Sequence, residues 1–298
     1  MRLRSSVGRT ALIDDAAPIH VTGPDRPRLR DRLVSSGALD EQDVQAVLDA
    51  QRRTGRLFGE TCLDLGLCDS ATVQTALDAQ FGFQPVSPDS DAVAPEVAVA
   101  LGTDPELAGS MRALRARLLG RRAELGDGQV TLVFAGADEE TPVATVAANF
   151  AVATAQLGYT VLLVDAVVDR PAQHRLFRRP NRIGLSTVLH GGNGIATAVQ
   201  QTAVANLLLL PAGPVVLHPA EFFEQASLAG AIRTWSPPCD LVVVDAGSGS
   251  PDVSASLAVG MDGAVVVMTR HRTPVRQVRR LAERFADRGV ERLGAVIA

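Results

Sequence analysis

From Gln129 onward the chain alternates short, nearly uninterrupted apolar runs with segments of helical character. The runs are VTLVFAG (130–136), TVLLVDA (160–166), NLLLLPAG (206–213), DLVVVDAG (240–247), GAVVVMT (263–269) and RLGAVIA (292–298). None shows the polar/apolar alternation of a strand with one wet face. Strands of this kind must be covered on both faces, which is the condition of a parallel sheet between two layers of helices. In such α/β sheets ligands bind at the carboxyl ends of the strands, so the residues that close each run are the first candidates for a site.

Composition narrows the function classes. The 298 residues are 46% hydrophobic and 21% charged, enough for two domains with cores, and the formal net charge is −4. All 29 basic residues are arginine. A GC-rich genome accounts for such a bias in general, but a chain without lysine has no Schiff-base lysine and none to reach the β/γ-phosphates from a phosphate-binding loop. Tyr159 is the only tyrosine. Cys62, Cys68 and Cys239 are too scattered for a disulfide framework or a cysteine metal site, and the reading is a reducing, cytoplasmic compartment with no metal site. His174, His190, His218 and His271 have no metal-ligand spacing. No apolar stretch is long enough to span a membrane, since the run 203–217 is broken by Asn206, Pro211 and Pro214. The MRLRSS start has no apolar signal core. Without a basic tract there is no footprint for nucleic acid. Arg270, Arg272, Arg276, Arg279 and Arg280 read as a solvated or basic helix face, and Trp235 as a packing residue.

Residues 1–26 lack periodicity and read as a disordered tail. Beyond them lies an internal repeat. Residues 28–51 align with 57–80 at an offset of 29, with identities at Gly37/Gly66, Asp40/Asp69, Val44/Val73, Gln45/Gln74, Leu48/Leu77, Asp49/Asp78, Ala50/Ala79 and Gln51/Gln80. Each copy predicts a short apolar helix, a glycine turn, an N-cap aspartate (Asp40, Asp69) and an amphipathic helix, such as the one carrying Val44, Val47 and Leu48. On the residues alone this is a small helical docking module.

The two copies, with the five-residue spacer 52–56 and the trailing Phe81-Gly82, resemble the tandem motifs of the N-terminal (MshEN-type) domain of type II secretion and type IV pilus assembly ATPases. Some members of that family bind cyclic di-GMP between the motifs. The resemblance implies that Arg28 approaches a guanine or phosphate and that backbone near Leu29 and Gly59 lies against the ligand. It also implies an apolar bed of Leu33, Val34, Val44, Leu48, Leu63, Val73 and Leu77, with Gln51 and Gln80 as polar contacts, Gly37 and Gly66 at the turns and Leu57 opening the second copy. Arg30 stands where the motif carries glycine, Leu57 where arginine is usual, and Ser87 where an aspartate often follows. The domain is placed at 27–88.

Residues 83–105, with Pro85, Pro88, Pro95 and Pro105, read as linker, and 105–122 as a helix with Met111, Leu114, Leu118 and Leu119 on one side, ended by Gly126-Asp127-Gly128. Linker and helix together make a segment 89–128, and the α/β domain runs 129–298. Taken in order, the segment 143–177, GLSTVLHGG (184–192), LLLLPAGPVVLHPAEFF (207–223), CDLVVVDAG and RLGAVIA resemble the cytoplasmic domain of bacterial tyrosine kinases of polysaccharide export (CpsD/CapB-like), within the MinD/ParA-like P-loop ATPases. The implied fold is α/β, a mostly parallel, doubly wound P-loop-like sheet preceded by a small, mainly helical tandem-motif domain.

That family's phosphate loop ends in GEGKST before a helix beginning AAN. With Ala147-Ala148-Asn149 as the anchor, the six positions are Glu140, Thr141, Pro142, Val143, Ala144 and Thr145. Both glycines, the lysine and the first hydroxyl are absent, and Pro142 has no N–H to give. Asp138, Glu139 and Glu140 put negative charge where a triphosphate would lie; two unit charges about 4 Å apart repel by about 4 kcal/mol at an effective dielectric of 20, about a thousandfold in affinity. Asp165 matches the second acidic motif, with Val167 at the partner position. Asp245 matches the Walker B aspartate, followed by Ala246-Gly247-Ser248 instead of Thr-Pro-Pro. Thr145, Asp165 and Asp245 therefore read as a vestigial nucleotide site, either a Mg²⁺ pair or hydrogen-bonded structure at the strand ends. Of the family's E-x-x-R-x-x-R motif Arg112 and Arg115 match and Gly109 replaces the glutamate; of its tyrosine-rich tail nothing follows Ala298.

The expectation is a pseudoenzyme with no catalytic residues and no required cofactor. ATP and Mg²⁺ are not expected, and cyclic di-GMP is the candidate ligand. It would act as a regulatory or scaffold protein in polysaccharide export or related envelope assembly. Its partners would be proteins, namely an active ATPase, the polysaccharide copolymerase or a secretion or pilus component; peripheral membrane association is compatible with this. Two alternatives stand beside it: an active ATPase or tyrosine autokinase, and a ligand-free interaction module.

Overall fold

A computed structural model describes residues 29–54, 58–69, 72–73, 86–87, 90–120, 129–191, 195–225, 227–234 and 239–298. They fall into two compact units, one holding the repeat and the other the alternating apolar runs. The tail 1–26, Arg28, Leu57, Leu77, Gln80, Phe81-Gly82, residues 121–128, Trp235 and the side chain of Leu29 lie outside what is described.

In the repeat unit, helices α1 (Leu29–Ser35), α2 (Glu41–Thr54) and α3 (Phe58–Asp64) follow one another. The offset of 29 is visible in the hydrogen bonds. After α1 the Ala38 N–H donates to Leu33 O at 2.9 Å, and after α3 the Leu67 N–H donates to Cys62 O at 3.1 Å. Both turns pass through a glycine in the left-handed region, Gly37 at φ 74° and Gly66 at φ 67°, where a side chain would be strained. Asp40 accepts from the Asp43 N–H at 2.8 Å, and Asp69 accepts from the Thr72 N–H at 2.7 Å, so both aspartates cap as the sequence predicts. Leu33, Leu39, Val47, Cys62 and Val73 form the unit's core, and burial pushes the Cys62 thiol up to about 11.

The second unit opens with a correction. Residues 90–101, read above as linker, pack into the core: Val93, Val97, Val99 and Ala100 are buried, the last two in helix α4 (Ala98–Leu101). Pro95 lies in a turn, and the valines around it carry the packing. Helix α5 (Pro105–Gly120) is capped by Asp104, which accepts from the Leu107 N–H at 2.9 Å, and buries Met111 and Leu118.

Next come β1 (Val130–Gly136), α6 (Val143–Ala155), β2 (Val161–Asp165), α7 (Gln173–Leu176), α8 (Leu185–Leu189) and α9 (Ile195–Ala198). After them are β3 (Gln200–Gln201), β4 (Leu207–Leu210), α10 (Pro219–Gln225), α11 (Leu228–Thr234) and β5 (Leu241–Ser248). The chain closes with α12 (Pro251–Ala258), β6 (Gly263–Met268), α13 (Val275–Asp287) and β7 (Arg292–Ile297). The sheet order is β3-β4-β2-β5-β1-β6-β7, parallel except for β3, whose two glutamines pair antiparallel with β4 at the edge. This β3 pairing was not legible, because two polar residues carry no strand period.

Alternate residues of each central strand enter opposite cores. Leu132 and Phe134 of β1, Leu163 of β2 and Val243 of β5 join Phe150 of α6 on one face. Val133, Ala135, Leu162, Val164, Val242 and Val244 meet Leu281 and Phe285 of α13 on the other. The unbroken apolar runs are thus explained by two dry faces. The mixed α/β architecture with its mostly parallel seven-stranded sheet is the one expected. Among the described residues no helix is long and apolar enough to cross a membrane.

Asn149 fastens residues 96–99 to helix α6. Fully buried in the middle of α6, it accepts from the Val99 N–H at 2.9 Å and donates to Glu96 O at 2.8 Å and Thr145 O at 2.9 Å. An amide is needed there because one neighbour is a donor and two are acceptors.

Candidate functional site

The chain runs outward from β2 to β4, returns to the middle of the sheet as β5, and runs outward the other way through β6 and β7. This reversal leaves the carboxyl ends of β1, β2 and β5 side by side, with Asp165 and Asp245 as register neighbours. Both aspartates are completely buried.

Every oxygen of the pair accepts a hydrogen bond from the protein. Asp165 Oδ1 takes the Val167 N–H at 3.2 Å, and Oδ2 takes the Ala172 and Gln173 N–H groups, both at 2.9 Å. Asp245 Oδ1 takes the Gly247 N–H at 2.9 Å, and Oδ2 takes the side-chain amide of Gln173 at 2.8 Å. The same Gln173 nitrogen donates to Ala144 O at 2.9 Å. Sequence reasoning missed Gln173. Its only signal is a neutral amide in the short segment after β2, and that its side chain turns inward is decided by the fold.

Burial pushes the Asp165 carboxyl well above the ordinary range, and the neighbouring Asp245 charge adds to this against the three backbone donors. Asp245 is also raised by burial, opposed by the bonds from Gln173 and Gly247.

The loop between β1 and α6 turns its amides inward. The Glu140 N–H donates to Asp138 Oδ1 at 3.0 Å, the Thr141 N–H to Asp138 O at 3.2 Å, and the Val143 N–H to Thr141 O at 2.9 Å, while Pro142 has none. The loop is also tied to its neighbours. Thr273 donates to Asp138, Arg272 pairs with Glu140, and Ser248 Oγ donates to Glu139 O at 3.2 Å. Burial alone would raise Asp138, but the bonds from Thr273, the Glu140 N–H and Thr141 outweigh it and hold the carboxyl below its usual range.

Two shallow clefts flank this loop. One, about 450 Å³, is lined by Asp138, Glu139, Glu140, Arg272, Pro274 and Gln277. The other, about 200 Å³, runs from Thr141 and Pro142 past Arg170 to Asp245 and Ser248. Of the three positions matched to the nucleotide site, the fold brings Asp165 and Asp245 together. Thr145 lies in the first turn of α6 and is not among the residues lining either cleft.

In the repeat unit the proposed apolar bed divides. Leu33 and Val73 are buried in the unit's core. Val34 and Leu63, equivalent positions of the two copies, are exposed, while Val44, Leu48, Gln51 and Gly59 are half-buried. Elsewhere, Arg115 donates to Ala153 O and so serves the α5–α6 contact, and His190 stacks on Phe222.

No protein-family model matches the chain. The tyrosine-protein kinase YwqD of Bacillus subtilis is 31% identical over 158 residues, 51% of this chain and 65% of that protein. The tyrosine-protein kinase wzc of Salmonella typhi is 27% identical over 167 residues, 56% of this chain and 23% of that protein. The chain therefore spans less than two thirds of the length of either. Among solved structures, the kinase domain of Escherichia coli tyrosine kinase ETK superposes with a TM-score of 0.62 at 22% identity, over 72% of this chain and 83% of that one. The chimerical protein CapA2B2 superposes with a TM-score of 0.61 at 23% identity, over 75% of this chain and 97% of that one. At these identities the structural matches speak to fold. The chain is thus similar in sequence to bacterial tyrosine-protein kinases, and its α/β unit has the fold of their kinase domains.

Proposed function

We propose that the chain is a non-catalytic relative of these kinases, acting as a regulatory or scaffold protein in polysaccharide export or related envelope assembly. One observation carries this reading: the carboxylate pair at the strand ends is committed to internal hydrogen bonds, with the Gln173 amide on Asp245. A nucleotide-bound cation at the strand ends would have to compete with donors already in place, since each of the four carboxylate oxygens accepts at least one hydrogen bond from the protein. The loop that would cradle phosphates supplies carboxylates instead, and its amides at 140, 141 and 143 bond within the loop.

The repeat unit is proposed as the regulatory input, with cyclic di-GMP as its ligand and the α/β unit as the platform for a protein partner. Exposed Val34 and Leu63 at matching repeat positions support an external ligand surface there. Calorimetry with cyclic di-GMP on the full chain and on Arg28→Ala tests this part. Saturable binding that the variant loses supports it, and no heat at tens-of-micromolar ligand overturns it. The alternative of an active kinase is favoured by one fact, the kinase names of the relatives; radiolabel transfer from ATP to protein would establish it.

A further inference from the structure

We infer that the basic face of α13, with the loop before it, is a docking surface for a membrane of acidic lipids. Arg276, Arg279 and Arg280 are its main contacts and Val275 stands at its rim. The inference goes beyond the proposed function and does not depend on whether the chain is catalytic.

The segment 270–280 holds five arginines and no acidic residue, in a chain whose formal net charge is −4. Positions 276, 279 and 280 stand i, i+3 and i+4 apart and so share one face of α13, opposite the buried Leu281 and Phe285 that pack into the core. All three are exposed, as is Arg270 in the preceding loop. Among the described residues none of these four forms an ion pair, whereas Arg272 is engaged by Glu140 and Arg284 by Asp252 and Asp287. Glu283 and Asp287 lie in the second half of the helix and limit the basic face to its first two turns. The helix itself gains nothing from this placement. Arg276 is in the first turn, which carries no acidic residue, at the positive end of the helix dipole. Arg276 and Arg280 are like charges one turn apart, a pairing that an isolated helix disfavours. Charge gathered against the preference of the local structure calls for an anionic partner.

Which anion follows from what the face lacks. Between 269 and 298 the only phenylalanine, tyrosine or tryptophan is Phe285, which is buried, so no such ring is offered to a nucleic-acid base. The one large apolar side chain that α13 exposes is Val275, at 74%, which is too little for the apolar centre of a protein interface. A bilayer of acidic lipid asks for positive charge in one plane and for no matching shape, and a single valine at the rim suits its headgroup boundary.

The test is co-sedimentation of the full chain with vesicles of equal parts phosphatidylglycerol and phosphatidylcholine, against vesicles of phosphatidylcholine alone. Wild type is expected to bind the first and not the second, and to be released at about 0.5 M salt, where charge is screened within a few ångströms. Each arginine near an acidic surface is worth about fivefold in affinity, so Arg276→Gln/Arg279→Gln/Arg280→Gln should weaken binding about a hundredfold. The corresponding triple lysine variant keeps the charge and should bind as wild type does. Arg175→Gln/Arg182→Gln, which removes exposed arginines elsewhere on the α/β unit, should leave binding nearly unchanged. Should the triple glutamine variant fail to fold, Arg279→Gln alone, with a loss of about fivefold, takes its place. Absence of binding to the acidic vesicles overturns the inference, as does an equal loss per arginine in the 175/182 variant. Binding of duplex DNA that the triple variant loses, without binding of vesicles, would assign the face to nucleic acid and overturn it as well.

Discussion

The side-chain amide of Gln173 donates to Asp245 Oδ2 at 2.8 Å while the backbone N–H of the same residue donates to Asp165 Oδ2 at 2.9 Å. One residue thus clamps the ends of β2 and β5. Replacing it with leucine leaves a buried carboxylate oxygen without its partner, at about 1–3 kcal/mol and toward the top of that range if the group is charged. Urea unfolding of Gln173→Leu should show a loss of this size, and an unchanged midpoint would contradict the clamp.

The pair makes stability depend on pH. Folded Asp165 and Asp245 titrate above their unfolded values, so their contribution is fully present below the ordinary aspartate range near pH 4 and is lost as pH rises to about 7. The melting temperature should fall across that window. Asp245→Asn removes one titrating group and the charge beside Asp165, and the slope should flatten; equal slopes in the two proteins would count against the assignment.

Asn149→Leu keeps the size of the side chain but strands the buried Val99 N–H, at about 1–3 kcal/mol. Amide exchange should then accelerate over residues 96–101 with less change in β1 and β5. Uniform acceleration would argue against Asn149 as the local fastener.

Much of this was legible. Continuous apolar runs mean two dry faces for the central strands, and all six predicted strands fall where the runs lie; the last, β7, forms an edge and leaves most of its residues exposed. The repeat offset forecast matching turns and caps at Asp40 and Asp69. What escaped depends on tertiary partners. Residues 90–101 look like linker because four prolines in 83–105 outweigh the spaced valines, and the buried amides of Asn149 that hold the segment are long-range. Gln173 escaped for the same reason, since its meaning lies in Asp245, 72 residues away. Leu33 and Val73 are buried in the core of the repeat unit, a packing that depends on how its helices meet.

In the repeat unit, Asp40→Ala and Asp69→Ala should each lower stability by about 1 kcal/mol, the usual worth of an N-cap, with effects that add because the caps serve different helices. Gly37→Ala should be destabilising through its positive φ. Thermal unfolding of the three variants and of the Asp40→Ala/Asp69→Ala double variant checks both statements, and a cap variant without effect would contradict the equivalence of the copies.

The Arg272–Glu140 pair is mostly exposed, at 64% and 66% of the side-chain surface. Arg272→Ala should therefore change global stability by less than about 1 kcal/mol. Thr273→Val removes the bond that ties Asp138 to the neighbouring loop and should speed amide exchange in 138–141 more than Arg272→Ala does. The reverse order would place the anchor of the loop on the arginine.

The central claim is that the strand-end carboxylates serve the fold in place of a nucleotide. Titration calorimetry of the full chain with ATP and Mg²⁺ at millimolar concentration tests it most directly. The account predicts no saturable heat and no rise in melting temperature, where a ligand at 100 times its dissociation constant would add about 2.7 kcal/mol. Micromolar binding that is lost in Asp245→Asn would contradict it.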